Sequence, residues 1–477
     1  MRVIIIGAGI SGCTAYLSLQ KHLPQPTGST KHQITIYEAY DTNLNTTAST
    51  RNDPASSGTH SSTLVVGGGL GLFANGFNVL RRLDGDIARD IVRDGYAIAH
   101  QDLRSKNGTL LVRMDCCADL DAESEEGGTR NKKGVHLLGT SRHSLWTSLR
   151  RRIPDEDIQT VRVSRVIARQ DGRNEVHFAD GREPVEADLI IGADGIKGVT
   201  KEALFPGEEG LYKPEYQGLV GVGGFISSEE VKDLVKKGSM NLLLGGNGFF
   251  GYFYSTSATS SSSRDSIYQA SEPGSHLGWW STYAVDECPD PRTIDVDAVT
   301  NQLRERHAHW KDPTVQKILG SLRVKNMYPT WTSPQLPTWE RNGIVLVGDA
   351  AHALPSTSGQ GSSQALEDVE AFTLLLSNTL RDVYQKGSPD VMAHKDATST
   401  AAKQYMEIRR PRVQGILEAA QRMQNSKRGM GVIAEYMMYC AMWIAGCFPG
   451  IMSRSVKSVI NYDISEEVKA FIEREKR

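Results

Sequence analysis

The sequence predicts an α/β fold: a parallel sheet assembled from separated stretches of chain, interrupted by an inserted β-sheet domain and followed by a helical C-terminal region. Three observations predict it. Short β-branched runs that each lead into a glycine-bearing turn occur at Val3 to Ile6, Leu189 to Ile191 and Ile344 to Val347, as expected of strands buried on both faces. Between Leu211 and about Met327 the texture becomes aromatic and glycine-rich. From Gln364 onward helical patterns dominate. With 477 residues, 39% hydrophobic and 23% charged, the chain can bury a sizeable core and has the length of about three compact units. A formal net charge of -2 gives no basic excess for phosphate neutralisation, which argues against a nucleic-acid partner. The six cysteines follow neither a disulfide nor a zinc spacing, so no metal site is expected and a reducing, cytoplasmic setting is the default.

The first strand runs into Gly7-Ala-Gly9-Ile-Ser11-Gly12, then a helical stretch to about His22 and a second strand, Ile34 to Tyr37. A signal peptide would need a longer apolar region than Arg2 to Gly7 offers. The unit reads as a Rossmann-like β-α-β crossover. Gly7 allows the tight turn, Gly9 lets the backbone approach a pyrophosphate, and Gly12 permits close helix packing, with the helix N-terminus supplying amide donors. Glu38 ends the second strand, 26 residues beyond Gly12 against about 20 in the usual fingerprint. The turn-rich loop Pro24 to His32 accounts for the excess, and a carboxylate there can accept hydrogen bonds from a ribose diol. The motif alone does not choose between FAD and NAD.

Thr46 to Thr63 reads as a polar loop, Phe73 to Leu83 as a helix, Asp115 to Lys133 as a solvated excursion, and Ser141 to Arg152 as a helix. Strands alternate from Asp157 to Gly192, with Asp180-Gly181 as a hairpin turn. The resulting division assigns 1–75, 141–210 and 329–425 to one discontinuous cofactor domain, with 76–140 as a substrate-side segment. It assigns 211–328 to the β-sheet insert and 426–477 to the C-terminal helices. A second motif, Gly192-Ala-Asp194-Gly195, follows the run Leu189 to Ile191. A third runs from Gly343 through Asp349 and His352 to Pro355, Gly359, Gly361, Ser362 and Gln364. There a strand delivers Asp349 to the sheet's carboxyl edge, where ligands of open α/β sheets sit, and a glycine-bearing loop feeds a helix N-terminus.

Together these motifs, with Gly67 to Asn75, Arg142 in Ser-Arg-His-Ser-Leu145, and Arg409-Arg-Pro-Arg412, resemble the FAD-dependent aromatic hydroxylases, the single-component flavoprotein monooxygenases. The resemblance runs from Met1 to about Arg412. It implies FAD as the bound cofactor, NADPH or NADH as transient reductant, and O2 and a small organic molecule as substrates. Hydroxylation or epoxidation would proceed through a flavin C4a-hydroperoxide, in a setting that suits specialised metabolism. It implies that Glu38 binds the adenosine ribose, Arg142 contacts the flavin cofactor, Asp194 supports the shared FAD/NAD(P)H-binding region, and Asp349 binds the ribityl or pyrophosphate portion. The backbone from Pro355 to Ser362 would border the isoalloxazine ring. No catalytic triad is expected, because the cofactor performs the oxygen chemistry.

Where the family usually carries His or Arg, Ser and later Arg, this chain has Lys197, Gly198 and Lys201. Gln217 stands where many phenol-acid hydroxylases carry arginine. A neutral amide cannot balance a carboxylate, which favours a neutral or weakly acidic substrate. Tyr252 and Tyr254 alternate with Phe250 on one strand face. Lining a pocket and packing against helices are equal readings for them, and they join Gln217 as substrate-pocket candidates. His352 reads as a structural hydrogen-bonding group. For the apolar stretch within 430–452 a buried or amphipathic helical pair is the first reading and peripheral membrane contact the second, with a spanning anchor last. A flavin reductase on the same scaffold, or a binding protein without cofactor, stays open as an alternative to the monooxygenase.

Overall fold

The computed structural model describes residues 1–25, 31–44, 68–117, 134–208, 210–290, 294–324, 327–387, 390–425, 430–448 and 456–477. The expected loop Thr46 to Thr63, the middle of Pro24 to His32, nearly all of Asp115 to Lys133 and the end of 430–452 lie outside the described residues.

Six strands form the first sheet, in the order Glu340–Arg341, Ile344–Leu346, Leu189–Gly192, Arg2–Ile6, Gln33–Glu38 and Ile158–Thr160. Only the Glu340–Arg341 edge is antiparallel. Ile4 pairs with Ile190 and Thr35, and Ile190 with Ile344. Ile4, Ile190 and Ile344 are almost wholly buried, because helices cover both faces of the parallel sheet. The helices Ile10–His22, Gly361–Gln385 and Val391–Asn425 supply much of that cover. A three-stranded antiparallel sheet, Val163–Ile167, Asn174–Phe178 and Val185–Ala187, turns at Gly181, whose φ of 78° is open to glycine.

The insert is a seven-stranded sheet ordered Met327–Thr332, Glu215–Ser227, His276–Ala284, Gly248–Tyr254, Ser239–Gly245, His100–Ser105 and Leu110–Asp115. Helices Val296–His307 and Pro313–Ser321 pack on one face of it, where Val220, Phe250, Trp279, Leu303 and Ile318 share a buried cluster. Side chains alternate along a strand, so Phe249, Gly251, Phe253, Gly278, Trp280 and Thr282 point to the opposite face. A second small sheet, Gly69–Leu72, Leu137–Ser141 and Tyr96–Ile98, bridges this opposite face to the first domain. A Cβ on Gly69 or Gly139 would fall 2.8 or 2.6 Å from the Phe253 ring.

His307 carries a pH-dependence. Its ring is fully buried between Phe250 and Trp310, with Nε2 3.1 Å from the Ser281 hydroxyl and Nδ1 without a partner. Burial, aided by the charge of Arg306, pushes its pKa down to about 3. The unfolded chain would bind this proton near pH 6.5. Stability therefore falls as the pH drops from about 6.5 towards 3, because only the unfolded state takes up the proton in that window. His394, pushed down to about 4 by burial first of all, acts in the same direction. The thermal midpoint is expected to fall across this window, and His307→Gln to flatten the fall. An unchanged slope in that variant would contradict the assignment.

Candidate functional site

The three sequence motifs meet at the carboxyl end of the first sheet, and their glycines record how tightly. Gly7 adopts φ 101°, and a Cβ on it would lie 2.5 Å from the carbonyl oxygen of Ala193, in the second motif. Gly348, φ 59°, leaves room for only 2.4 Å between a Cβ and the Ser11 hydroxyl, joining the third motif to the first. A Cβ on Gly12 would stand 1.8 Å from the Gly7 carbonyl oxygen. Gly9 is different: nothing lies within 4 Å of its would-be Cβ, so the turn opens outward there. Gly9 precedes helix Ile10–His22 with no side-chain cap, and the first amides of such a helix have no intrahelical partners.

Glu38 reaches this turn from the end of its strand. Its carboxylate accepts from the Ala8 amide at 2.6 Å and the Tyr40 amide at 3.0 Å. Burial raises its pKa against these bonds and the charge of Arg162. Trp146, which sequence reading missed, donates from Nε1 to the Ala8 carbonyl at 2.7 Å and is fully buried. It lies four residues beyond Arg142 on helix Arg142–Arg150, a spacing that puts both on one helix face. Arg142 is partly buried, and its guanidinium has no hydrogen-bond or ion-pair partner among the described residues.

Asp194 is turned into its own loop. One carboxylate oxygen accepts from the Thr200 amide at 2.9 Å and the Thr200 hydroxyl at 2.8 Å, while the other is buried without a partner. Gly198 follows from this: a Cβ there would sit 2.1 Å from the Asp194 carboxyl carbon. The neighbouring cations are engaged as well. Lys197 lies 4.5 Å over the Trp331 ring, and Lys201 donates to the Ile196 carbonyl at 2.9 Å.

Asp349 begins the short helix Asp349–His352 and is exposed. Its carboxylate has no partner among the described residues. Beyond it, Pro355 leads a helical turn into Gly359, which takes the left-handed conformation at φ 60°. Helix Gly361–Gln385 then starts with no side-chain cap. Nothing lies within 4 Å of a Cβ on Gly361, and the buried hydroxyl of Ser362 has no partner. The uncapped amides at two helix N-termini, the open space at Gly9 and Gly361, the free Asp349 carboxylate and the orphaned Ser362 hydroxyl fit a long dinucleotide laid from Glu38 to Ser362.

Beneath this loop lies a buried ionic network that sequence reading did not anticipate. Asp368 accepts from the Gly348 amide at 2.9 Å and contacts His352 Nε2 at 2.5 Å. Arg409, Glu367 and Asp368 are completely buried and paired with one another. Arg412 and Asn75 also donate to Glu367, at 2.7 and 2.6 Å, and Asn75 donates to Gln360 at 3.0 Å. His352 is thus a structural group. Burial pushes the Asp368 carboxyl up, but His352 and Arg409 outweigh it and hold the carboxyl below its ordinary value.

Two pocket candidates are corrected. Tyr252 and Tyr254 are buried on the helix-covered face of the insert sheet, and Tyr254 donates to the Val235 carbonyl at 3.1 Å. Alternation along the strand carries both away from the cofactor side. Gln217 lies at the irregular start of its strand, before the register shift between Tyr216 and Val220, and its amide reaches the Glu215 carbonyl at 3.3 Å. On the opposite face, Gly223, Trp280, Gly251, Leu242, Leu103 and Val112 form one cross-strand row with no ionisable group. The Trp280 indole lies over Gly251, where a Cβ would fall within 2.4 Å of it.

Comparison with known proteins places this geometry. The FAD binding domain family matches residues 158–420. The chain is 27% identical over 205 residues to 6-hydroxynicotinate 3-monooxygenase of Bordetella bronchiseptica, covering 43% of this chain and 48% of that protein. It is 26% identical over 259 residues to salicylate hydroxylase of Pseudomonas putida, covering 52% and 56%. The matched regions thus span about half the length of these relatives. Among solved structures, HpxO of Klebsiella pneumoniae complexed with FAD and uric acid superimposes with a TM-score of 0.67 at 18% identity, covering 96% of each chain.

Proposed function

This chain belongs to the FAD binding domain family, and from that premise we propose that it is an FAD-dependent monooxygenase of the aromatic hydroxylase type. It takes reducing equivalents from NADPH or NADH and inserts one atom of O2 into a neutral, largely apolar organic molecule. The observation that carries the reading is the contact of three distant motifs: Gly7 against Ala193 and Gly348 against Ser11. FAD, when bound, supplies the reduction and oxygen-activation chemistry that no side chain here provides.

The chain's own residues hold, orient and shield. Glu38 meets the adenosine ribose, the amides after Gly9 meet the pyrophosphate, and Asp349 meets the ribityl or pyrophosphate portion. Arg142 contacts the flavin cofactor, and the backbone from Pro355 to Ser362 borders the ring. Asp194 acts by position, keeping the turn that backs Gly7. The row centred on Trp280 carries no cation to pair with a substrate carboxylate, and its indole, laid over Gly251 in contact with Phe249 and Phe253, offers an aromatic wall to a flat ring. An apolar wall of this kind also excludes water from the reacting centre. Lys197 and Lys201 are occupied elsewhere, so neither supplies the bidentate fork an arginine would offer a nucleotide phosphate.

Asp349→Ala is expected to weaken FAD retention on the order of tenfold, the loss of about one charge-assisted hydrogen bond, with the thermal midpoint of the apoprotein unchanged. The ratio of flavin to protein absorbance after gel filtration checks it, and full stoichiometric retention would overturn the site. Labelled dioxygen then tests the reaction: mass spectrometry should find one labelled oxygen in the product. A protein that oxidises NAD(P)H and leaves every product unlabelled is a reductase instead.

A further inference from the structure

We propose that the outward face of helix Val432–Gly446 docks on the surface of an anionic lipid membrane. The helix is fixed to the insert by its other face. Glu435 and Tyr439 are buried, Tyr439 donates to the Leu244 carbonyl at 2.6 Å, and Glu435 pairs with Lys106 at 2.8 Å. Met430 donates to the Gly246 carbonyl at 2.8 Å, and Gly446 lies so close to Leu111 that a Cβ would fall 2.6 Å from its carbonyl oxygen. The helix is therefore held at both ends, and its inward polar side chains Glu435 and Tyr439 are satisfied by this chain.

What remains faces outward. Ile433, Tyr436, Met437, Trp443, Ile444 and Phe448 are each between 51% and 79% exposed. Leu110, itself 39% exposed, extends the patch beyond Gly446. Within the helix the one charged side chain, Glu435, is turned inward against Lys106. A contiguous apolar surface of this size marks an interaction site. Its form is that of a helix lying in a bilayer interface: aliphatic side chains flanked by Trp and Tyr, whose amphipathic rings favour the headgroup level. The helix is about 22 Å long at 1.5 Å per residue, and no helix among the described residues is long and apolar enough to cross a membrane.

Charge selects lipid over a second copy of the chain. In the sequence, Lys427 and Arg428 precede this helix, Arg454 follows it, and Glu435 is the only acid between them. Anionic headgroups attract a segment of such net positive charge, whereas two copies of it carry like charge.

The test is co-sedimentation of the full-length, flavin-loaded protein with vesicles of phosphatidylcholine alone or with about one-third phosphatidylserine. Partition onto the anionic vesicles is expected to be stronger on the order of tenfold. The double variant Ile433→Glu, Met437→Glu should lose it by a similar factor while keeping its flavin. Brominated lipid provides a second readout through collisional quenching of Trp443, which Trp443→Phe should abolish without adding charge. Absence of partition onto anionic vesicles, or wild-type partition by the double variant, would overturn the proposal. So would a concentration-dependent dimer that the double variant dissociates while no vesicle binding is found.

Discussion

Arg409→Met is expected to destabilise the protein by about 3–5 kcal/mol, the usual cost of removing one partner from a buried ion pair. Arg409 is inaccessible to solvent; its Nε donates to Asp368 at 2.9 Å and Nη2 to the Gln364 side chain at 2.6 Å, while Nη1 contacts Glu367. Methionine fills much of the volume but leaves the two buried carboxylates with Arg412 and His352 as their cationic partners among the described residues. The damage extends to the ligand loop, because the same Asp368 carboxylate accepts the Gly348 amide. Loss of flavin should therefore accompany the loss of stability. Arg410→Met is the internal control, since Arg410 reaches the Leu336 and Pro337 carbonyls and the Trp339 ring but no buried carboxylate among the described residues, and it should cost far less. Denaturant titration of the three proteins measures the difference. Equal midpoints for Arg409→Met and wild type would remove the network from the account of the fold.

Gly12→Ala should lower FAD affinity by roughly 10- to 100-fold, equivalent to the 1–3 kcal/mol typical of overpacking. The new methyl would meet the Gly7 carbonyl oxygen at 1.8 Å and the Ile5 side chain at 3.4 Å. Gly7 cannot retreat, because on its far side it already touches Ala193. The backbone of the turn must move, and the thermal midpoint should fall with it. Gly9→Ala separates binding from folding. Its methyl meets nothing within 4 Å, and the residue has an ordinary φ of -71°, so the fold should persist while the methyl occupies the space a pyrophosphate needs. A Gly9→Ala protein with wild-type FAD content would show that the turn does not face the cofactor.

Much of this was legible in the sequence for local reasons. Glycine at 7, 9 and 12, the strand before them and the acid at 38 are spaced by the geometry of one β-α-β unit, so a linear reading captures them. The strands ending near Gly192 and Leu346 were visible as β-branched runs, because a parallel sheet buried on both sides tolerates little else. The parts that stayed hidden depend on which surfaces meet. Alternation of Phe250, Tyr252 and Tyr254 was plain, but nothing in a strand's own residues tells which of its faces a distant helix will cover. Trp146 drew no reading from the sequence, because its role rests on an indole bond to the distant Ala8 carbonyl. Nothing in the sequence marks Glu367 and Asp368 for burial, which becomes tolerable only when Arg409 and Arg412 arrive from the next helix. Gly198 departs from the family pattern because the Asp194 carboxylate occupies the space of its side chain.

The order of strands in the first sheet has a consequence for biosynthesis. Arg2–Ile6 must wait for Leu189–Gly192, and that strand for Ile344–Leu346, before either is shielded on both edges. At typical synthesis rates of roughly 5–20 residues per second, the first apolar strand leaves the ribosome on the order of half a minute before the last of its layer exists. Throughout that interval the nascent chain carries an unpaired, isoleucine-rich edge, a surface open to non-native strand pairing until the layer is closed.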